Sequence, residues 1–209
     1  MSNGVLYSVR TKWCEKIIRG EKTLEIRKSK PKLPPPFKSY IYCTKPSRSH
    51  QTICGCMVLN DDELYRHPKY GIRYGDSIEL MAEDDYTSDN FLNGKVIGEF
   101  VCDAIYLFST RVYLAGEQLI PDEDVVSMSC LSRQELRDYE GRKTGLYAIH
   151  IPKFTLYDKP KTLSDFRMAN MECLRHGPDG VPVCEKGIPC QMCQVKRPPQ
   201  SWMYVEELP

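Results

Sequence analysis

No stretch of this chain stays apolar for anything near the about 18 residues that a membrane-spanning helix needs, and its first residues lack a signal-peptide pattern. The chain is therefore expected to be cytoplasmic, with no membrane partner. Histidine is scarce, at 4 residues in 209. His50, His67 and His150 stand in no partner motif, so each reads as a surface or hydrogen-bonded residue rather than a catalyst. Excess charge of one sign is missing as well: 29 Lys and Arg face 28 Asp and Glu, a formal net charge of +1. A disulfide framework is not expected either, because the 10 cysteines belong to a chain read as cytosolic. Buried small hydrophobes or metal ligands are the roles left for them.

A length of 209 residues fits one ordinary domain with a small appendage, enough to bury a core. Charge is unevenly spread along it. Residues 1–50 hold 12 Lys and Arg against 3 acids, whereas residues 51–150 hold 9 against 18. The basic sector contains Gly20-Glu21-Lys22-Thr23-Leu24-Glu25-Ile26-Arg27-Lys28, in which five charges crowd one short run. Before it, Trp13, Cys14, Ile17 and Ile18 fall at helical spacing over 11–19, with Thr11 as N-cap and Gly20 as terminator. After it, alternation over 23–27 predicts a half-buried strand, with Leu24 and Ile26 inward and Thr23, Glu25 and Arg27 on the other face. On spacing alone, a solvated face carrying ion pairs is as good a reading as a site. Arg27, Lys28, Lys30, Lys32 and Lys38 flank or enter a stiff loop rich in proline (Pro31, Pro34, Pro35, Pro36), which is read as a phosphate contact or as a solubilising surface loop.

Further strands are predicted over 39–44, 53–59, 77–81, 96–108 and 145–151, with Gly98 as a bulge or bend in one long run and an additional strand over 154–157. Their number fits a closed or nearly closed barrel better than a sandwich. Tyr40 and Tyr42 share a parity and either stack on a base or cover the barrel mouth. A helix starts at Ser132, where Glu135 completes a capping box, Leu131 and Leu136 form a staple, and Gly141 is the stop. Its acids Glu135, Asp138 and Glu140 are read as solvent-facing. Apart from 77–81, residues 61–93 read as loops.

The cysteine-bearing end has a different character. Cys190-Gln191-Met192-Cys193 is a CxxC, which lets two thiolates face one Zn²⁺. Cys184 and Cys173 complete a tetrahedral four-thiolate set, and His176 is the alternative fourth ligand. Such a site leaves no open position, so the metal is structural. The alternative is a redox or unliganded pair, although no βαβ pattern surrounds it. Residues 163 and 166 (Leu163, Phe166) are expected to grip the barrel, and the segment 197–205 to return as a final strand or to lie over the cleft, with packing favoured. Cys14, Cys43, Cys54, Cys56, Cys102 and Cys130 read as buried small residues.

The run Val5-Leu6-Tyr7-Ser8-Val9, then Trp13 and Ile17, then Gly20-x-Lys22-Thr23-x-Glu25-x-Arg27, resembles the opening of the ASCH family of PUA-like β-barrels. Tyr40-Ile41-Tyr42-Cys43, Gly94 to Phe100 and Leu146-Tyr147-Ala148-Ile149 follow in the family's order, so the resemblance covers about residues 4–166. It is nearest to bacterial and phage members that carry a cysteine-bearing tail. The expected fold is therefore α+β: a small PUA-like β-barrel with peripheral helices over 1–166, and an irregular, zinc-stapled tail over 167–209 packing on it.

The resemblance implies a cleft lined by Lys22, Glu25 and Arg27 that takes a nucleic acid or a modified nucleoside. The reading favoured is a binder of RNA or single-stranded nucleic acid, using Lys22, Thr23, Glu25, Arg27, Lys28, Tyr40 and Tyr42. Some members resemble amidohydrolases acting on acetylated cytidine with a lysine, a threonine and a glutamate. Lys22 matches that lysine, but Glu25 stands where the threonine is expected, so a hydrolase here would rely on Lys22 and Glu25 alone. A protein-interaction adaptor is the third class.

Overall fold

The computed structural model describes residues 2–45, 52–56, 64–67, 71–74, 78–82, 92–111, 120–143, 145–169 and 190–208. In chain order these form β1 (Asn3–Val9), α1 (Thr11–Ile18), β2 (Leu24–Arg27), β3 (Phe37–Cys43), β4 (Thr52–Cys56), β5 (Leu64–His67), β6 (Gly71–Tyr74), β7 (Ile78–Ala82), β8 (Val96–Cys102), β9 (Ile105–Phe108), α2 (Asp122–Ser129), α3 (Arg133–Glu140), β10 (Leu146–His150), β11 (Thr155–Lys161) and β12 (Trp202–Glu206). A 3-10 turn lies at Leu163–Asp165. No described helix is long and apolar enough to cross a membrane.

A five-stranded sheet runs β11-β8-β3-β1-β12 and a three-stranded one β2-β10-β9, with β4-β7 and β5-β6 as separate pairs. β1 and β3 are parallel, and β12 is antiparallel to β1 at the edge. Period-2 alternation then sorts the five-stranded sheet onto two cores. Val5, Tyr7 and Val9 of β1 and Ile41 and Cys43 of β3 face one core, shared with Ile105 and Ile149 of the three-stranded sheet and Cys14 and Ile17 of α1. Leu6, Tyr40 and Tyr42 face the opposite core, which Phe166, Val195 and Val205 cover. The outer face of the three-stranded sheet packs Leu24, Ile26, Phe108 and Ala148 against Val125 of α2 and Leu136 of α3.

The mixed α+β content agrees with the expectation, but the sheets formed by the described strands do not close into a barrel. The run read as one strand over 96–108 is broken. β8 ends at Cys102 and β9 begins at Ile105, and the two belong to different sheets. Gly98 does sit at an irregularity: Ile41 pairs with Gly98 and Tyr42 with Val96, leaving Ile97 as the extra residue of a bulge. The lack of a side chain there also admits β11, since a Cβ at Gly98 would stand 2.3 Å from the Thr155 carbonyl oxygen. The region 61–93, read as loops apart from one strand, contains the hairpin β5-β6.

The helices follow the caps with two corrections. α1 is capped by the backbone of Arg10 with no side-chain bond, because the Thr11 hydroxyl instead donates to Thr44 O (3.4 Å) and accepts from Asn93 (2.8 Å). Gly20 terminates the helix at φ +72°, as its position after the last turn suggested. In α3 the capping box of Ser132 and Glu135 is complete. Glu140, however, is fully buried and not solvent-facing. Its carboxylate accepts from Ser109 Oγ (2.5 Å), Thr110 Oγ1 (2.6 Å) and the Thr110 and Gly145 amides (both 3.0 Å).

Burial raises the Glu140 carboxyl pKa, but the four hydrogen bonds outweigh it and hold the group below the ordinary carboxylate value. The unfolded chain then binds the proton more tightly, so the Glu140 contribution is complete above the ordinary carboxyl pKa and is lost as pH falls through the lowered folded value. Glu140→Gln is expected to flatten the acid limb of stability against pH, read by urea unfolding at a series of pH values. An unchanged limb would show that Glu140 is not the group responsible.

Candidate functional site

All four residues of β2 are buried, where alternation predicted one buried and one open face. Leu24 and Ile26 fill the helix-covered core, and Glu25 and Arg27 point the other way into polar surroundings. Two buried cations flank the carboxylate. Glu25 Oε1 lies 3.0 Å from the Arg27 guanidinium and Oε2 lies 3.5 Å from Lys22 Nζ. Each cation is also hydrogen-bonded to a main-chain carbonyl: Lys22 donates to Ser129 O (2.7 Å), and Arg27 to Ser8 O (2.6 Å).

Ser129 closes α2, so Lys22 sits at the carbonyl-rich, partially negative end of that helix, where a cation is favoured. The adjacent Met128 carbonyl accepts the Thr23 amide at 2.8 Å. Lys22 is only 2 % exposed. Burial draws its amine below the ordinary lysine pKa, and Glu25 pulls in the opposite direction. The indole of Trp13 completes its surroundings, with Lys22 Nζ 5.2 Å from the ring centroid.

This triad floors a cleft of 920 Å³. One side is built from Arg10 and Lys12 at the start of α1 together with Thr44, Lys45 and Gly94. A second carries Leu131, Glu135 and Tyr139 from the α3 region. The third is the chain leading into β12, which contributes Lys196 and Pro198 to Gln200. That strap is fastened to the floor by Ser8, whose hydroxyl donates to Pro199 O (2.6 Å) and whose amide donates to Ser201 O (3.1 Å). Beyond it Trp202 Nε1 donates to Ser29 O at 3.2 Å, so the segment both packs as a strand and walls the cleft.

The structure brings Lys22, Glu25, Arg27 and Tyr42 together at the cleft. It places the other expected residues elsewhere. Tyr40 is fully buried against Phe166 (5.0 Å between ring centroids), and its hydroxyl accepts from the Leu208 amide (2.8 Å). Lys28 lies over the Tyr139 ring at 4.9 Å and Lys38 pairs with Glu99 at 3.1 Å; neither lines the cleft. Thr23 is held by backbone bonds to Met128 and Ile151. Arg10, Lys12, Lys45 and Lys196 were not singled out by sequence reading, because they arrive from three distant segments. Six cations and two acids line the cleft.

Of the expected zinc ligands, Cys173 and Cys184, and the alternative His176, lie outside the described residues. Cys190 and Cys193 close a tight turn in which the amides of Cys193 (2.9 Å) and Gln194 (3.0 Å) both donate to Cys190 O. Among the described residues no group of three or more metal-ligating side chains forms.

No family model and no curated protein matches the sequence. Among solved structures the chain is similar to ASCH from Zymomonas mobilis, at 15 % identity and a TM-score of 0.46 over 98 % of this chain and 88 % of that one. It is also similar to a tyrosine-to-phenylalanine mutant of that protein, at 16 % identity and a TM-score of 0.49 over 98 % and 91 %.

Lys22→Met keeps the aliphatic bulk but leaves the Ser129 carbonyl and one carboxylate oxygen of Glu25 without their donor. A loss of about 1–3 kcal/mol is expected from the orphaned buried acceptors, measured by chemical denaturation. A change below about 0.5 kcal/mol would mean that water replaces the ammonium freely.

Proposed function

We propose that this protein binds nucleic acid, as RNA, another single strand or a modified nucleotide, in the cleft above the Lys22-Glu25-Arg27 triad. The observation that carries the reading is the charge of the cleft, with six cations against two acids in 920 Å³. Trp13 and Tyr139 add aromatic surface on which a base can stack. A polyanion entering such a cavity releases counterions, so affinity falls steeply with salt.

A second reading is favoured by one contact, the 3.5 Å pair of Lys22 and Glu25 at the cleft floor. Glu25 would serve as general base toward water, and Lys22 would polarise an amide or phosphodiester. Both groups are already engaged, by Arg27, by Ser129 O and by each other, which supports a positioning role over proton transfer.

Zn²⁺ held by Cys173, Cys184, Cys190 and Cys193 completes the proposal. The turn at Cys190 is the backbone condition for a two-thiolate chelate. Bound there, the metal supplies structure only. Elemental analysis is expected to give one zinc per chain, lost in Cys190→Ser. A metal-free, fully folded protein would remove zinc from the reading.

Binding of labelled single-stranded RNA is expected to weaken by more than about tenfold between about 50 and 200 mM salt. Glu25→Gln should leave no turnover to lose, because none is expected for RNA or acetylated nucleosides. Affinity indifferent to salt would exclude the nucleic-acid reading, and turnover abolished by Glu25→Gln would transfer the site to catalysis.

A further inference from the structure

The charges of the cleft divide into a matched floor and an unmatched rim. Lys22 and Arg27 share Glu25, and Lys12 reaches Glu135 at 4.0 Å. Arg10, Lys45 and Lys196 make no ion pair with any described residue, although all three are exposed at one cavity. Like charges lining a shared space repel one another and raise the local potential, a cost that an anion between them reverses.

The three are held at their roots by backbone, not by the ends of their side chains. Arg10 is the N-cap residue between β1 and α1. Lys45 follows Thr44, whose amide donates to Val9 O (2.9 Å) and whose carbonyl accepts from Asn93 (2.9 Å). Lys196 follows Val195, whose amide donates to Phe166 O (2.9 Å). The stem of Lys45 lies across Gly94: a Cβ there would stand 2.8 Å from Lys45 Cε and 3.3 Å from Cγ, at a backbone φ of +76°. A glycine at 94 therefore serves two needs, the left-handed turn and the path of the lysine into the cleft.

Size limits what the rim can hold. The 920 Å³ cleft falls within the about 300–1,000 Å³ typical of small-ligand sites, and the strap fastened through Ser8 walls one side. Grooves that track a strand engage about 4–16 nucleotides.

We propose that Arg10, Lys45 and Lys196 are the phosphate contacts of this protein, Gly94 being the positioning residue for Lys45, and that the site takes a short segment carrying three consecutive phosphates instead of a tracked strand. The proposal rests on the nucleic-acid reading above and specifies its ligand.

The test measures affinity against salt for a 5′-phosphorylated mononucleotide, dinucleotide and trinucleotide, which carry one, two and three phosphates, and for a 5′-phosphorylated dodecamer of mixed-sequence RNA. Single-stranded ligands lose about 0.7 in the slope of log K against log salt for each phosphate contacted, so three contacts give a slope of about −2. The slope is expected to steepen up to the trinucleotide and then to stay level. Arg10→Ala, Lys45→Ala and Lys196→Ala should each make it shallower by about 0.7. Gly94→Ala should reproduce Lys45→Ala and add nothing to it, with a thermal melt confirming that it folds; Lys153→Ala, at an exposed residue that does not line the cleft, should match the parent. A slope that keeps steepening to the dodecamer, or a triple rim variant with the parent slope, overturns the proposal while leaving nucleic-acid binding intact. Binding of no probe at the lowest salt overturns the nucleic-acid reading and the proposal together.

Discussion

A carboxylate clamped between two buried cations is the interaction on which both fold and site depend. Any one of Lys22, Glu25 and Arg27, buried alone, would cost several kcal/mol in lost hydration, and removal of a partner leaves that cost uncompensated. The triad is tolerable because its carboxylate answers both cations and because Lys22 and Arg27 each donate one further bond to a main-chain carbonyl. Those carbonyls belong to α2 and β1, so the same bonds that neutralise the charges also fasten β2 to a helix on one side and to the five-stranded sheet on the other. Site geometry and tertiary structure are in this sense one set of contacts.

The C-terminal chain takes part for an equally physical reason. β3 places Tyr40 and Tyr42 on the face of the sheet opposite the first core, which would leave two large aromatic side chains in water. Phe166, Val195, Val205 and the partly buried Met168 and Met203 cover that face. Once β12 is zipped along β1, the residues just before it have nowhere to run except past Ser8 and over the edge of the cleft. The wall of the site is a consequence of covering the second face of a sheet.

Local signals in the sequence were read correctly where their cause was local. The Ser132 capping box and the Gly20 terminator need only their own neighbours, and both are present. The break between β8 and β9 was not legible, because Asp103 and Ala104 carry no glycine or proline to mark it and the apolar run continues on either side. Burial of Glu140 was hidden for a different reason. Its donors come from Ser109 and Thr110, about thirty positions upstream, and only the fold supplies them. Tyr40 and Tyr42 illustrate the limit of parity: they share a face, yet only Tyr42 reaches the cleft, since Tyr40 lies one pair deeper beneath Phe166.

The same limit explains the cations. Sequence reading favours clusters, and Lys28, Lys30 and Lys32 form one, but none of the three lines the cleft. The unmatched charge at the rim of the cleft comes from single residues at three chain junctions, each with a long stem that leaves its head in water. The rim is thus hydrated, while the floor is desolvated and compensated within the triad. A chain of net charge +1 can sustain this because its surplus acids are used elsewhere. Asp122, Glu123 and Asp124 form the first turn of α2, exposed to solvent, where negative charge is stabilised by the helix N-terminus. The far end of that helix receives Lys22. One short helix therefore keeps the two signs apart, holding acids at its solvent end and the cation of the cleft floor at the other.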